Sequence, residues 1–378
     1  MLYFGALMLN KVKMKRLIIF IFCIMWMASC TEKQILPSDQ SKYIRDLDFM
    51  RDSILENHPG VYNQADVDFC KNVEAFYTDA KSKIQGSKSD FVAKEAITAF
   101  AKSFNDAHLW VTWFGSSALK KNNQNNVEKK FDVSMFADEA AWITLPTFDL
   151  TSNQEKDFQK CITSIVDLKH KKSIVFDLRR NQGGNSSYGA QVIDALFGEE
   201  YANQQRYLYK KNVFVDWRVS VGNVDHVASL CEKYPDYHQY FNRIKQGLQN
   251  SLAQGDQFYR EYEDSNEKTS AYTSEYNSQI IVITDSGNVS AALDFIDELT
   301  YMTKNIILIG QKTKADRLYM DVRSLALPSG LGTFSFPIKV YRNRPRLDNE
   351  PYTPDIEFQD VANTIDLKKF ILSKMESM

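Results

Sequence analysis

Apolar residues recur along the chain in two rhythms. In the first third the spacing is helical: Tyr43, Leu47, Met50 and Ile54, then Phe69, Val73, Phe76, Ala80 and Ile84, then Ile97, Phe100 and Phe104. These stripes predict a helical N-terminal subdomain over residues 41–107, each helix needing a partner for its apolar face. The polar stretch from Lys120 to Lys130, rich in Asn and Lys, reads as a surface loop or boundary. Beyond it the rhythm changes. Phe131 to Phe136 and Ala141 to Leu145 flank Ala137-Asp138-Glu139 and read as a hairpin. Ser152-Asn153-Gln154-Glu155 has the form of a capping box, opening a helix that buries Phe158, Ile162 and Ile165. Ser173 to Leu178 and Gln279 to Thr284 are short apolar runs, each leading through a turn into a helical pattern, and Asn305 to Ile309 repeats the strand. Such recurrence indicates an α/β core, here assigned to residues 108–378. The stretch 200–275 breaks the rhythm. It is polar, tyrosine-rich and helical in places, and reads as an insertion able to cover a cleft.

Composition narrows the function classes. With 44% hydrophobic and 25% charged residues over 378 positions, the chain can bury a sizeable core. A net charge of −2 supplies no basic field for a nucleic-acid partner. Near the N-terminus, Met14-Lys15-Arg16 opens a basic patch and Leu17 to Met27 is an apolar run too short to span a bilayer comfortably. Met14 is the more natural start, Met1 to Val12 reading as upstream read-through. Met27-Ala28-Ser29-Cys30 closes the run with small residues before a cysteine, with Met27 where leucine is usual. This order resembles a bacterial lipoprotein signal. It implies removal of residues 1–29, lipidation of Cys30, a tether over 30–40, and an exported protein held to a membrane of the cell envelope; the alternative is an ordinary signal peptide or anchor helix. Cys70, Cys161 and Cys231 remain in the mature chain, scattered and without a C-x-x-C pair, so they form neither a disulfide framework nor a zinc site. No H-E-x-x-H or comparable ligand cluster is present, and neither a catalytic metal nor another cofactor is expected.

Two segments carry candidate chemistry. The strand ending at Thr284 leads through Asp285-Ser286-Gly287-Asn288-Val289 to Ser290, at the start of a helix. A helix N-terminus offers free N–H groups and a positive field, which suits a nucleophile developing negative charge nearby; the plainer job for such a serine is an N-cap. The second segment is Asp177-Leu178-Arg179-Arg180-Asn181-Gln182-Gly183-Gly184. Its glycine pair lets the backbone approach a ligand and turn N–H groups outward.

Together these segments resemble the core of the C-terminal-processing (tail-specific) peptidases and the tricorn-core serine peptidases. The order continues with Gly310-Gln311-Lys312-Thr313, similar to the family's G-E-x-T, and Pro354-Asp355-Ile356, similar to its P-D-[IV]. Upstream, Asn105-Asp106-Ala107-His108 resembles the D-x-H of tricorn-like members. The resemblance covers roughly residues 42 to 370 and lacks an evident PDZ module. It implies a ClpP/crotonase-like core of β-β-α units behind a helical subdomain, and serine peptidase activity on polypeptides. By position it makes Ser290 the nucleophile and assigns the oxyanion hole to the N–H groups of Gly184 (or Gly183) and Ala291. Processing peptidases carry a catalytic lysine where this chain has Asp316, with Lys312 and Lys314 nearby but out of register; tricorn-like members use a histidine, and that resemblance points to His108 as the base, a nearby lysine being the alternative. Ala107 replaces the serine that precedes that histidine in tricorn. The resemblance places the orienting acid shortly before Pro354, at Asp348 or Glu350. Arg342, Arg344 and Arg346 read as an exposed basic loop, with pairing to those acids or a substrate carboxylate as the alternative. His58, in Glu56-Asn57-His58-Pro59-Gly60, reads as a structural helix stop. A rival function is a catalytically inactive lipoprotein binding peptide, lipid or glycan on the same fold.

Overall fold

A computed structural model describes residues 40–115, 130–262, 271–344 and 346–375; the signal segment, Cys30 and most of the Lys120 to Lys130 stretch lie outside the described residues. The three N-terminal stripes form helices α1 (Ser41–Asn57), α2 (Phe69–Gln85) and α3 (Asp90–Lys102). Strand β1 (Trp110–Trp113) follows. The expected hairpin is β2 (Asp132–Ala137) and β3 (Ala140–Thr144), paired antiparallel. Helix α4 (Ser152–Val166) begins one residue from where the sequence places it. The capping box uses Thr151 and Gln154, because Ser152 already has helical geometry and Thr151 supplies the extended cap residue.

Strands β4 (Ser173–Asp177), β7 (Gln279–Thr284), β8 (Ile306–Gly310) and β11 (Ile356–Glu357) join the hairpin in a six-stranded sheet of order β11-β8-β7-β4-β3-β2. All neighbours from β3 to β11 run parallel. Between these strands lie α5 (Ser186–Phe197), α6 (Glu199–Lys210) and α9 (Ala291–Met302), with α10 (Thr364–Met375) at the end of the chain. The continuous apolar runs of β4 and β7 split by pleat. Ile174, Phe176, Ile280 and Val282 pack with α4, α5 and α9, while Val175, Ile281 and Ile283 pack with Leu367 and Ile371 of α10. Burial on both faces explains why these strands show no alternation. This mixed α/β core is the expected one.

The second sheet contains β1, β5 (Phe214–Arg218), β6 (Phe258–Tyr262), β9 (Tyr319–Ala326) and β10 (Gly332–Arg342), all paired antiparallel. The insertion therefore builds part of this layer. Its helices α7 (Val221–Lys233) and α8 (His238–Gln254) share a core with α1 to α3 and with Trp217, Phe334 and Phe336. β5 escapes a reading by pattern because two of its buried residues are charged. Asp216 is engaged by Arg260 and Arg342, and Arg218 by the Val219 and Gln257 carbonyls. Cys70, Cys161 and Cys231 are free thiols.

His58 ends α1 as the sequence indicates. Its ring is fully buried, stacked on Phe69 at 4.5 Å, and its Nδ1 accepts a hydrogen bond from the Gly60 N–H at 2.9 Å. Burial pushes its pKa from 6.5 down to about 3. The unfolded chain takes up this proton below 6.5 while the folded chain does not, so the stability contribution is complete above that pH and is lost as pH falls toward 3. The slope approaches about 1.4 kcal/mol per pH unit. Denaturant unfolding at stepped pH is expected to show this loss in the wild type, and a shallower slope in His58→Gln, whose side chain does not titrate.

Candidate active site

β4 and β7 are adjacent and parallel, so the loops leaving their C-terminal ends are neighbours. Two asparagines, both fully buried, tie these loops together. Asn288 donates through Nδ2 to the carbonyls of Leu178 (2.6 Å) and Asn181 (3.0 Å), and its Oδ1 accepts from the Asp285 N–H at 2.7 Å. Asn181 donates to the Leu145 carbonyl and accepts from the Gly183 N–H, each at 2.9 Å. Asp285 Oδ2 accepts from the Arg180 N–H at 2.7 Å, closing the brace.

The glycine turn meets the serine loop directly. Gly183 (φ +87°) would place a Cβ 2.7 Å from the Val289 carbonyl oxygen and 2.9 Å from Ser290 Cβ. Gly184 (φ +133°) would drive one into the backbone of Phe148 and Asp149. Both positions therefore require glycine. The Gly183 N–H is consumed by Asn181, which removes it as an oxyanion donor. Among the described residues the N–H groups of Gly184 and Ala291 have no protein acceptor.

Ser290 occupies the N-cap position of α9 but makes no side-chain cap bond. Its backbone, at φ 59° and ψ −129°, mirrors the first central residue of a type II turn, a conformation costing a non-glycine residue about 1–3 kcal/mol. This geometry turns Oγ away from the helix amides, to 3.1 Å from His108 Nε2. The N-cap reading is thereby replaced.

His108 reaches the serine from the other layer. Asn105, in the left-handed region at φ 49°, turns the chain after α3. Asp106 Oδ1 then accepts the His108 N–H at 2.8 Å and lies 3.5 Å from Nδ1 of the ring. That last distance is longer than a good hydrogen bond, and the contact is ionic only when the ring is protonated. With a carboxylate beside Nδ1, the favoured neutral tautomer carries its proton there and leaves Nε2 as the acceptor. Burial pulls the His108 pKa down; Asp106 first, then Asp316 and Asp294, push it up, and the net direction is upward.

The expectation that Asp348 or Glu350 orients this histidine is not met. Arg317 and the Leu318 N–H hold Asp348, and Glu350 accepts from the Leu347 N–H within its own loop. The carboxylate at Nδ1 is the local one, Asp106, because the turn brings residue i−2 under the ring. Nor are the three arginines an exposed basic loop. Arg342 pairs with Asp216, while Arg344 and Arg346 are buried against Asp316, Arg346 also meeting Asp297. Asp316, in the processing peptidases' lysine position, is fully buried in this cluster. Lys312 and Lys314 are exposed. Asp294, one helical turn beyond Ser290, accepts from Ser186 Oγ at 2.8 Å; desolvation, with Asp297 and Asp316, pushes its pKa up to about 6. Asp355 of the P-D-I segment accepts from the Leu308 N–H, a structural role at β8.

A serine on a strained turn, a buried imidazole in contact with it and two amides without acceptors make an arrangement able to transfer an acyl group. The sequence model of peptidase family S41 matches residues 139–358, more than half of the chain. The chain belongs to peptidase family S41. That match includes Ser290 and both glycines but stops short of Asp106 and His108, which only the geometry brings in. A structure of mature CPAF complexed with lactacystin aligns with TM-score 0.56 and 11% identity, over 89% of this chain and 97% of that one. Another structure of mature CPAF gives 0.53 and 10%, over 87% and 94%. The photosystem II D1 C-terminal processing protease gives 0.40 and 10%, over 84% and 93%. For the two CPAF structures, at these identities, the likeness is one of fold. No curated protein sequence matches the chain.

Asp106 is the residue that the sequence reading misses, although the quoted D-x-H contains it. Asn181 and Asn288 went unread, because nothing in an isolated asparagine signals two loops to be joined. The backbone strain at Ser290 has a measurable consequence. Ser290→Gly relieves it, whereas Ser290→Ala retains it, so the glycine variant is expected to be more stable by about 1 kcal/mol after its larger chain entropy is counted. Equal unfolding midpoints for the two variants would show that the turn stores no strain.

Proposed function

We propose that this S41 peptidase hydrolyses peptide bonds in polypeptides through an acyl-enzyme, with Ser290 as nucleophile and His108 as base. The reading is carried by one observation, the 3.1 Å contact between Ser290 Oγ and buried His108 Nε2. Neutral His108 takes the hydroxyl proton as Oγ adds to the scissile carbonyl. The resulting oxyanion is received by the Gly184 and Ala291 amides, a type of contribution worth about a hundredfold to a thousandfold in rate per donor. The imidazolium then gives its proton to the departing amine, and water, deprotonated by the same ring, releases the acid. Asp106 supports the imidazolium and fixes the tautomer of the neutral ring. The contact of His108 with Ser290 supports this reading over a binding-only protein on the same fold, since it supplies a base although Asp316 stands at the lysine position. We further propose that the lipoprotein signal ending at Cys30 holds the enzyme to a cell-envelope membrane, its substrates being polypeptides that pass there.

Ser290→Ala and His108→Ala are each expected to lower turnover of an unfolded polypeptide by on the order of 10⁴-fold or more while unfolding cooperatively. A fluorophosphonate probe is expected to label the wild type at Ser290 and to leave Ser290→Ala unmarked. Labelling elsewhere, or undiminished turnover in the alanine variant, would sink this mechanism.

The pH profile tests the acid. His108 acts in its neutral form, so kcat/KM falls as pH drops through its pKa, which lies above the ordinary value of 6.5. Asp106→Asn removes the foremost group raising that pKa. The acid limb is expected to move to lower pH, together with a fall in plateau rate. A limb that stays in place contradicts the role given to Asp106.

A further inference from the structure

We propose that His58, which the Ser290 mechanism leaves unused, is a positioning residue: its ring donates Nε2–H to Asp106 Oδ2, directly or through one water, and so holds the carboxylate that orients His108. This rests on the proposed roles of Ser290, His108 and Asp106.

Among the described residues, three buried atoms of this set have no protein hydrogen-bond partner: His58 Nε2, Asp106 Oδ2 and His108 Nδ1. Buried polar groups are costly to leave unmet, and native proteins pair nearly all of them. His58 supplies a donor. Its Nδ1 accepts the Gly60 N–H at 2.9 Å, so the neutral ring carries its proton on Nε2. Asp106 supplies an acceptor. Its Oδ1 already takes the His108 N–H at 2.8 Å and faces the ring Nδ1 at 3.5 Å, while Oδ2 is unspent.

Packing brings the two residues toward each other. The His58 ring stacks on Phe69 at 4.5 Å, Phe69 meets Phe104 at 5.5 Å, and Phe104 lies two residues before Asp106. Among the described residues, Asp46, Asp106 and Asp316 are the carboxylates with an unmet buried oxygen, and of these only Asp106 exerts its charge on His58. The same charge acts on His108, together with those of Asp316 and Asp294. The other charged group acting on His58 is Arg317, itself tied to Asp66 and Asp348.

No proton moves along this link. Burial holds the His58 pKa down at about 3, so the ring stays a neutral donor wherever His108 titrates. A cationic donor would offset the charge of Asp106 and weaken its hold on the imidazolium; a neutral one fixes the carboxylate and spares that charge. The mount is firm, with Tyr319 edge-on to the ring at 4.8 Å and its hydroxyl bonded to Asn63 and Asp66. The helix stop after α1 thereby reaches the reaction through one carboxylate.

Two substitutions in the full chain separate this role from a structural one. His58→Gln keeps a donor where Nε2 stood and loses the acceptor for Gly60; His58→Asn keeps that acceptor and loses the donor. Turnover of a soluble polypeptide is expected to show kcat about tenfold lower in His58→Asn than in His58→Gln, with KM alike, while unfolding midpoints rank the two the other way. In an Asp106→Ala background the kcat difference should vanish. Equal kcat values, the reverse order, or a difference that survives Asp106→Ala overturns the proposal. Heteronuclear NMR of the protein, isotope-labelled at histidine, reads the link without catalysis. His58 is expected to carry its proton on Nε2, with a resonance that moves in Asp106→Ala. A proton on Nδ1, or a resonance indifferent to Asp106→Ala, also overturns it, and this comparison decides alone if either His58 variant fails to fold. The underlying mechanism fails separately, through undiminished turnover in Ser290→Ala; the NMR result would then stand while the positioning role fell.

Discussion

The site depends on two polar loops being held against each other without solvent between them. Asn181 and Asn288 accomplish this. Their amides saturate backbone groups on both loops, so burial leaves few hydrogen bonds unmade. An apolar side chain at either position would strand carbonyls inside the protein, each costing about 1–3 kcal/mol. The glycine pair then allows the backbones to approach, and the same approach sets the glycine turn directly beside Ser290. The brace also separates two roles that the glycine motif blends. The Gly183 amide holds the turn together, leaving the Gly184 amide available to a substrate.

Around this brace the protein tolerates local costs that its packing can sustain. Ser290 holds an unfavourable backbone geometry because α9 behind it is anchored by Leu293, Ile296 and Leu299 in the main core. The adjoining Asp294, Asp297 and Asp316 are matched by Arg344 and Arg346, with Tyr352 also bonded to Asp297. Breaking such a buried cluster by removing one partner typically costs about 3–5 kcal/mol. The cluster fills the region where a processing peptidase would keep its lysine, and its carboxylates also reach the His108 titration. Substituting a lysine for Asp316 would therefore disturb the whole network before it supplied a base.

Much of this was legible in the sequence. Helical stripes gave α1 to α3, uninterrupted apolar runs gave strands covered on both faces, and the glycine doublet and Ser290 marked two loops that do meet. What failed to show has a common cause: charged residues buried in pairs. Asp216 and Arg218 broke the alternation of β5 and hid a strand within an apparent insertion. Arg344 and Arg346 read as solvated, yet sit among carboxylates supplied from α9 and from Asp316. The orienting acid was sought far downstream, where Arg317 claims Asp348, while a turn of four residues had already delivered Asp106. Distance along the chain carries no information about which of several acids finds the histidine first.

The long strand β10 offers one edge to β9 and shares the other between β1 and β5. It therefore sets the alignment of β1, the strand that follows His108, while the serine hangs from the separate six-stranded sheet. The two halves of the reactive pair are mounted on different slabs, and the gap between them acts as a gauge of how those slabs sit. A slip of one slab by little more than an ångström would break the contact between Ser290 and His108 with every residue intact. The length of that contact would then register strain imposed on the molecule from outside, whatever its source.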